Sequence, residues 1–294
     1  MNLALKLFLK YHPRQQSKAS QTTDGFTMIE LLIGTIMAFL IIGPLLGFVV
    51  SVLNDDTREQ AKSTTDFEQQ AAISFISEDL GQAYYIYDQQ EVDDGIDGLN
   101  NNVEGTPILV FWKQQTVPNS RPIRSQDAPE APINCEPNTC DDTIVRALVV
   151  YSLRQDDSEV WCQPQGEECP QRIVRYVMKE AIEKYRGTGV GFDEGELKQS
   201  QKGNVVFDPE FSLDNPTVDL IRNTTGEITG DVLINYVADF TVDNVAVTND
   251  AAQITIKSDG LRRTDAGDSC GEDEGGAFCP KATVTVKGLE LETN

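Results

Sequence analysis

The sequence predicts an α+β fold in which one long N-terminal helix packs on an antiparallel β-sheet. Residues 26–53 form an apolar segment that is almost free of charge. Residues 54–85 contain no proline and place apolar side chains at helical spacing. The remaining chain changes to short segments rich in β-branched and aromatic residues, separated by turn-forming residues. A long helix followed by several such strands is typical of the α+β class.

The first 25 residues precede the apolar segment and carry net positive charge. Four lysine or arginine side chains stand against a single acid, Asp24. Positive charge beside a membrane-spanning segment marks its cytoplasmic side. We therefore predict that residues 1–25 are a cytoplasmic leader rather than a domain, and that the chain after Leu53 lies outside the cytoplasm.

The apolar segment is long enough to cross a bilayer. Residues 31–53 contain no Asp, Glu, Lys or Arg. A membrane-spanning helix needs about 20 consecutive apolar residues. Glu30 is the one carboxylate at its leading edge, where burial in hydrocarbon is costly unless a positive group pairs with it. Residues 26–53 are therefore predicted to form a single transmembrane helix. The simplest alternative is an uncleaved signal anchor in which this acid is incidental.

The helix is predicted to continue through residues 54–85 as an amphipathic segment. Its apolar side chains share one face, which we expect to pack on the globular head. The polar residues, Gln69 and Asp79 among them, are assigned to the solvent-facing side. The predicted core-facing residues are Phe67, Ala71, Ile73, Ile76, Leu80 and Ala83.

Residues 86–294 are predicted to form one β-rich extracytoplasmic head. Residues 283–286 alternate threonine and valine, which is typical of a strand with one buried face. A segment of about 200 residues is enough for a single hydrophobic core. The predicted strands are 107–112, 143–153, 173–178, 232–247, 253–257 and 282–286.

Six cysteines lie in the predicted head as three neighbouring pairs. Turn-forming residues bracket them, and disulfides persist outside the cytoplasm. Six cysteines allow several connectivities, and we predict that neighbours pair, since they are closest in the chain. A zinc site is the alternative, but two of the three pair spacings exceed those of zinc ligands and no histidine follows His12. The predicted pairs are Cys135 with Cys140, Cys162 with Cys169, and Cys270 with Cys279.

One acidic segment has part of the spacing of a calcium-binding loop. Asp93, Asp97 and Glu104 occupy positions 1, 5 and 12 of an EF-hand-like loop, and Ca²⁺ prefers carboxylate oxygens. Position 3 is Gly95, which has no side-chain ligand, and a strand rather than a helix is predicted to follow. A solvated turn or hairpin is the alternative that the pattern favours. Apart from this calcium hypothesis, the sequence predicts no cofactor.

The chain is strongly acidic, with a formal net charge of −23. Binding to DNA or RNA requires clustered lysine and arginine, so nucleic acid is not a predicted partner. The acidity is typical of a solvated extracellular surface. The only histidine, His12, lies in the predicted leader, and the sequence contains neither G-x-S-x-G nor a P-loop. We therefore expect a structural or binding protein rather than an enzyme.

The junction between leader and apolar segment resembles the processing site of type IV prepilins. Gly25, Phe26 and Glu30 stand in register with the apolar run of residues 31–53. The resemblance implies that a prepilin peptidase cuts after Gly25 and methylates the new N-terminus at Phe26. It also implies that Glu30 neutralises the N-terminal amine of a neighbouring subunit. An amine and a carboxylate stabilise each other strongly in a medium of low dielectric.

Further segments are similar to those of minor pilins and pseudopilins. Residues 55–88 resemble the helix of the larger, J-like minor subunits of type IV pili and type II secretion systems. Residues 44–50, 83–88 and 107–113 are similar to the pseudopilins of hormogonium polysaccharide secretion in filamentous cyanobacteria. The resemblance implies a type IV pilin-like fold, with the helix packed on a sheet whose loops are closed by disulfides.

The same resemblance implies a single-pass protein of the inner membrane that works by assembly. Its partners would be the prepilin peptidase, other pseudopilins or pilins, an inner-membrane assembly platform and exported polysaccharide. The implied role is a structural subunit of a filament that supports polysaccharide secretion and gliding motility. The alternatives are a pseudopilin of type II protein secretion, a minor type IV pilin, and a signal-anchored glycan-binding domain.

Overall fold

The computed structural model contains a helix of 53 residues followed by a β-rich region. The chain forms two compact units, Met1–Asp55 and Asp56–Asn294. Residues 1–24 of the predicted leader lie outside the described residues, as does Phe26. The structure describes residues 25, 27–94, 96, 99, 102–122, 140–156, 158–166, 168–180, 183–185, 192–197, 204–207, 221–224, 228–244, 250–265, 267, 269–271 and 276–289.

Three helices and eleven strands occur in the described part of the chain. All six predicted strands are confirmed, although residues 245–247 of one of them lie outside the described residues. The elements are α1 (Met28–Leu80), β1 (Ala83–Ile86), α2 (Gln89–Asp94), β2 (Thr106–Pro122), β3 (Cys140–Arg154), β4 (Gln171–Glu180), β5 (Glu183–Tyr185), β6 (Phe192–Leu197), β7 (Asn204–Phe207), β8 (Ile221–Thr224), β9 (Asp231–Asn244), β10 (Ala251–Ser258), α3 (Gly260–Thr264) and β11 (Lys281–Lys287).

Helix α1 begins with a threonine cap. Thr27 Oγ1 accepts a hydrogen bond from the backbone N–H of Glu30 at 3.3 Å, which satisfies one of the free donors of the first turn. The spacing Thr27-x-x-Glu30 is that of a capping box, a signal that the sequence analysis did not use. The helix is continuous through Pro44, although proline removes one backbone donor there.

The end of α1 differs from the prediction. The helix ends at Leu80, whereas the sequence analysis extended it to Tyr85. A turn begins at Gly81, whose backbone N–H donates to the Ser77 carbonyl at 2.9 Å. Strand β1 follows immediately and pairs antiparallel with β2. Its tyrosines and isoleucine favour extended backbone, and the absence of proline was too weak a reason to continue the helix.

Most strands belong to one large sheet. In the described part of the chain it has nine strands, in the order β1-β2-β3-β4-β9-β10-β11, with β7 beside β4 and β8 beside β7. Its pairings are antiparallel, as predicted, except for a short parallel pairing of β4 with β7. Strands β5 and β6 form a separate two-stranded sheet.

Both faces of the large sheet are covered by other parts of the chain. One face packs on the C-terminal part of α1 through Ala72, Ile76 and Leu80. The other packs on the segment between β1 and β2, which includes α2. Successive strand residues point to opposite faces, so the central strands are apolar throughout rather than alternating. The first core contains Leu109, Phe111, Val149 and Tyr151, and the second contains Val110, Trp112, Leu148 and Val150.

Two of the three predicted disulfides are present. Cys162 pairs with Cys169, and Cys270 pairs with Cys279. Each bridge joins neighbours in the sequence and closes a short loop, as predicted. Closing a short loop removes less chain entropy than closing a long one, so these bridges act chiefly as local staples. For the third pair, Cys135 lies outside the described residues and Cys140 begins β3.

Candidate functional site in helix α1

The N-terminal part of α1 exposes a long apolar surface. Within the unit Met1–Asp55, Phe39 is 78% exposed and Phe48 is 70% exposed, and the large apolar side chains around them are exposed as well. Contact with water costs about 25 cal/mol per Å² of apolar surface, so a surface of this extent needs a membrane or a protein to cover it. Among the described residues, α1 is the one helix whose length and composition suffice to cross a membrane.

The predicted processing and assembly residues lie at the start of this surface. Gly25 is exposed, and a Cβ atom added there would meet no atom within 4 Å. Glu30 is exposed in the first turn of α1, where a carboxylate interacts favourably with the helix dipole. It is the one charged side chain between Met28 and Leu53. Phe26, the predicted new N-terminus, lies outside the described residues.

In the second unit, the buried face of α1 carries a carboxylate that contacts three strands. Asp79 lies well beyond the apolar part of α1 and is 5% exposed. Its Oδ1 accepts hydrogen bonds from Lys113 Nζ at 2.6 Å and from Arg175 Nη2 at 3.2 Å. Its Oδ2 accepts from the Tyr151 hydroxyl and from Arg175 Nε, both at 2.8 Å. These partners belong to the adjacent strands β2, β3 and β4, so one side chain fixes the helix to the centre of the sheet.

The partners keep Asp79 ionised. Burial alone would raise its pKa, but hydrogen bonds from Arg175, Lys113 and Tyr151, together with the charge of Arg175, lower the pKa of Asp79 below its usual range. Burial and the neighbouring Asp79 charge raise the pKa of Tyr151, which therefore remains a neutral donor. Charge-assisted hydrogen bonds of this kind are stronger than neutral ones. The cluster thus acts as a specific polar lock between helix and sheet.

Two further side chains of α1 form contacts farther along the sheet, near β10 and α3. Gln69 is 3% exposed, and its Nε2 donates to the carbonyl of Ile256 at 2.9 Å and to that of Pro280 at 2.8 Å. Glu68 pairs with Arg263 of α3, with Arg263 Nη1 lying 3.3 Å from Glu68 Oε1. The second half of α1 is therefore held near β10 and α3 as well as at β2, β3 and β4.

Replacing Gln69 with leucine should lower the free energy of unfolding by about 1–3 kcal/mol, because both hydrogen bonds are lost while the helix and the buried volume are largely kept. Urea denaturation of the full chain in detergent micelles measures this change. Gln70→Leu is the matched control, since the neighbouring Gln70 is exposed. An equal loss in both variants would contradict a stabilising role for the Gln69 contacts.

The buried face of α1 differs from the predicted one. Phe67 is 73% exposed and Ala71 is exposed, so their prediction as core residues was wrong. The remaining predicted positions are buried or half-buried. Gln69 and Asp79 were placed on the solvent side because of their polarity, yet a polar side chain can occupy the core when its hydrogen bonds are satisfied. The buried residues of α1 are Thr65, Gln69, Ala72, Ile76, Asp79 and Leu80.

Two of the three proposed calcium ligands, Asp93 and Glu104, lie in the described part of the chain. Asp93 Oδ1 accepts a hydrogen bond from Gln89 Nε2 at 2.8 Å. Glu104 forms an ion pair with Arg154, and Asp97 lies outside the described residues. No group of three or more His, Cys, Asp or Glu side chains among the residues that the structure describes is arranged to hold a metal ion.

Asp93 lies in a helix rather than in the predicted loop. Residues 89–94 form α2, and a reciprocal cap begins it. The Glu91 backbone N–H donates to Asp88 Oδ1 at 2.7 Å, and the Asp88 backbone N–H donates to Glu91 Oε2 at 2.8 Å. This is a capping box built on aspartate. Asp93 thus lies near the end of this helix, and its start is capped by Asp88 and Glu91, to which the sequence had suggested no role.

Comparison of the chain with models of known protein families, with curated proteins and with solved structures finds no match. The structure itself establishes an α+β chain with a long N-terminal apolar helix, an antiparallel sheet and two disulfides. A function for the chain therefore has to be inferred from its own residues and their arrangement.

Proposed function

We propose that the chain is a minor pseudopilin, a membrane-anchored structural subunit of a type IV pilus or type II secretion-like filament. The observation that carries this proposal is the register of Gly25 and Glu30 with the exposed apolar part of α1. A cut after Gly25 would place a new amine at the start of the helix and leave Glu30 one turn inside it. The apolar surface would then serve as a membrane anchor before assembly and as a packing surface in the filament.

The contacts of the second half of α1 support a structural role. A subunit that assembles through its helix has to keep that helix fixed to its own head. Glu68, Gln69 and Asp79 fix it through their hydrogen bonds and ion pairs to the head. A buried ion pair adds little net stability but specifies one arrangement of the groups that it joins. We therefore propose assembly, rather than catalysis, as the work of this chain.

Polysaccharide export and gliding motility are the processes that we propose the filament serves. The likeness of residues 44–50, 83–88 and 107–113 to polysaccharide-secretion pseudopilins supports this choice. The alternative cargo is a secreted protein. A deletion strain scored separately for surface polysaccharide and for exoprotein release distinguishes the two: loss of polysaccharide alone is expected, and loss of exoprotein alone would contradict the proposed cargo.

The N-terminus of the protein purified from its own membranes tests the proposal directly. Intact mass and N-terminal fragmentation should show a chain that begins at an N-methylated Phe26. A Gly25→Val variant should retain residues 1–25, because a branched side chain would stand at the cleaved bond. Gly34→Val is the matched control, since Gly34 has open space around it and lies away from the junction. A retained Met1 in the wild-type protein, or a cut elsewhere, would contradict the pseudopilin proposal.

A further inference from the structure

An open pocket of about 580 Å³ lies beside the two disulfide-closed loops of the second unit. Its wall includes Gln171 at the start of β4, Val237 in β9 and Arg262 in α3. Each of the two disulfides contributes one cysteine to it, Cys169 and Cys270. The volume lies within the range of roughly 300–1,000 Å³ that is usual for sites that bind small molecules.

A strained bulge in β9 shapes the pocket. Tyr236 has a φ of 58°, a left-handed conformation that costs of order 1–3 kcal/mol for such a residue. The pairing of β9 shifts register within residues 235–239 against both β4 and β10. The Tyr236 carbonyl accepts from the Asp259 N–H at 2.6 Å, its hydroxyl donates to the Gln163 carbonyl at 2.8 Å, and its ring lies 4.4 Å from the Arg263 guanidinium. Bulges of this kind are frequent next to functional sites.

Arg262 provides the pocket wall with a hydrogen-bond donor that is not used. The side chain is 4% exposed. Its Nε and Nη2 donate to the Glu168 carbonyl at 3.3 and 2.6 Å, whereas its buried Nη1 has no hydrogen-bond partner among the residues that the structure describes. An unsatisfied buried donor costs about 1–3 kcal/mol, and more when it is charged. Because Nη1 itself has almost no exposed surface, the guanidinium would have to turn toward the pocket before a ligand oxygen could bond to it and remove this cost.

The charge of the wall selects a neutral ligand. Two acidic residues, Asp259 and Glu168, line the same wall as Arg262, and the whole chain has a net charge of −23. An anion would therefore be repelled.

Asp259 Oδ1 already accepts from the backbone N–H groups of Arg262 and Cys270 at 2.9 and 3.2 Å, which leaves Oδ2 as the oxygen for a ligand. Gln155 and Gln171 add amide groups that can both donate and accept hydrogen bonds. A ligand with several hydroxyl groups matches such a wall, because each hydroxyl also donates and accepts.

An extended peptide fits the pocket less well. Peptides are commonly recognised by adding a strand to an open sheet edge or by entering an apolar groove. Within the described part of the chain, β4, β9 and β10 each pair with a strand on both sides, so the pocket offers no free strand edge. Polar side chains make up much of its wall.

We infer that this pocket binds a neutral oligosaccharide, with Arg262 donating to a ligand oxygen and the Asp259 side of the wall accepting from ligand hydroxyls. The inference rests on the pocket alone and does not depend on cleavage after Gly25 or on filament assembly. It gives the head a ligand class that neither the processing motif nor the helix contacts assign.

Isothermal titration of the full chain in lipid nanodiscs tests this inference, and glycoside detergents are omitted because their head groups would compete. The probes are maltotriose, cellotriose and chitotriose as neutral trisaccharides, trigalacturonate as an acidic one, and a capped trialanine peptide. We expect saturable binding of at least one neutral trisaccharide, at least about tenfold tighter than binding of trigalacturonate or the peptide. Failure of all three neutral sugars, or tighter binding of either competitor, would overturn the inference.

Two variants locate the binding. Ser269→Trp places a large ring at an exposed position of the pocket wall and should weaken binding at least about tenfold. Arg262→Lys retains the charge but replaces the guanidinium by a single ammonium group, and should also weaken binding. Thr264→Trp is the control, because Thr264 is exposed on α3 and is not part of the wall. Unchanged affinity in Ser269→Trp would place the sugar elsewhere. Intact mass of the same samples reports cleavage separately, so failure of this inference and failure of the pseudopilin proposal are distinguishable.

Discussion

Replacing Asp79 with asparagine should lower the free energy of unfolding by about 3–5 kcal/mol. The substitution keeps the shape of the side chain and removes its charge. Lys113 and Arg175 would then remain at the helix–sheet boundary without a buried carboxylate, although both now bond to it at 2.6–3.2 Å. Removing one partner of a buried ion pair destabilises the fold by much more than the intact pair stabilises it, because the remaining charges stay buried without a counter-charge.

Urea denaturation of the full chain in micelles measures this loss. Tryptophan fluorescence is a suitable signal, because Trp112 of β2 is fully buried in the core. Glu78→Gln is the matched control because it removes an exposed carboxylate from the adjacent position of α1. A variant in which Asp79, Lys113 and Arg175 are all replaced by apolar residues should regain much of the lost stability. A loss for Asp79→Asn no larger than that for Glu78→Gln would contradict the proposed lock.

The stability that Asp79 contributes should also decrease as the pH falls. The pKa of Asp79 is lower in the folded chain than in the unfolded chain, so its contribution to stability is complete above the unfolded pKa of about 3.9 and is lost as pH falls through the folded value. Wild-type and Asp79→Asn proteins should therefore differ most near neutral pH and converge below about pH 4. A difference that grew as the pH fell would be inconsistent with an ionised Asp79.

The sequence predicted most of α1 and six of the described strands, but not the polar lock around Asp79. Apolar length predicted the first half of α1, and β-branched runs predicted the strands, because both signals are local. Asp79 was missed because its partners Lys113, Tyr151 and Arg175 are 34, 72 and 96 positions away. Their convergence depends on strand register, which periodicity does not supply. A local hint was present, since Arg175 interrupts the apolar run of residues 173–178 and Lys113 directly follows the apolar run of residues 107–112.

The caps at the starts of α1 and α2 were missed for a different reason. Thr27 and Asp88 each stand three positions before a glutamate, and this spacing alone predicts a capping box. Glu30 was interpreted only as a contact to another subunit, and Glu91 was given no role. The pocket beside the disulfides, by contrast, had no local signal: Arg262 and Gln171 are far apart in the sequence and line it together, next to the irregular pairing of β9 with β4 and β10.

If the chain is the pseudopilin proposed above, exchanging Glu30 for glutamine should reduce its incorporation into filaments roughly 100-fold while leaving the proposed cut after Gly25 intact. Without the carboxylate, the N-terminal amine of the neighbouring subunit would enter an apolar environment unpaired, at a cost of about 2.5–3.5 kcal/mol, and each 1.4 kcal/mol changes an equilibrium by about tenfold. Glutamine retains the size of the side chain, and the Thr27 cap uses only the backbone N–H of residue 30. Quantitative mass spectrometry of sheared filaments and of membranes from the same cells measures the ratio.

Asp55→Asn is the control for this prediction, because it removes an exposed acid just beyond the apolar run. The size of the Glu30→Gln effect separates two roles of the carboxylate. If Glu30 acted only on the dipole of its own helix, its loss would cost about 0.3–1 kcal/mol, which corresponds to less than about tenfold. A loss near 100-fold requires a buried positive partner from another chain. Incorporation within about fivefold of wild type would leave Glu30 as a helix-terminal charge and remove the basis for assembly through it.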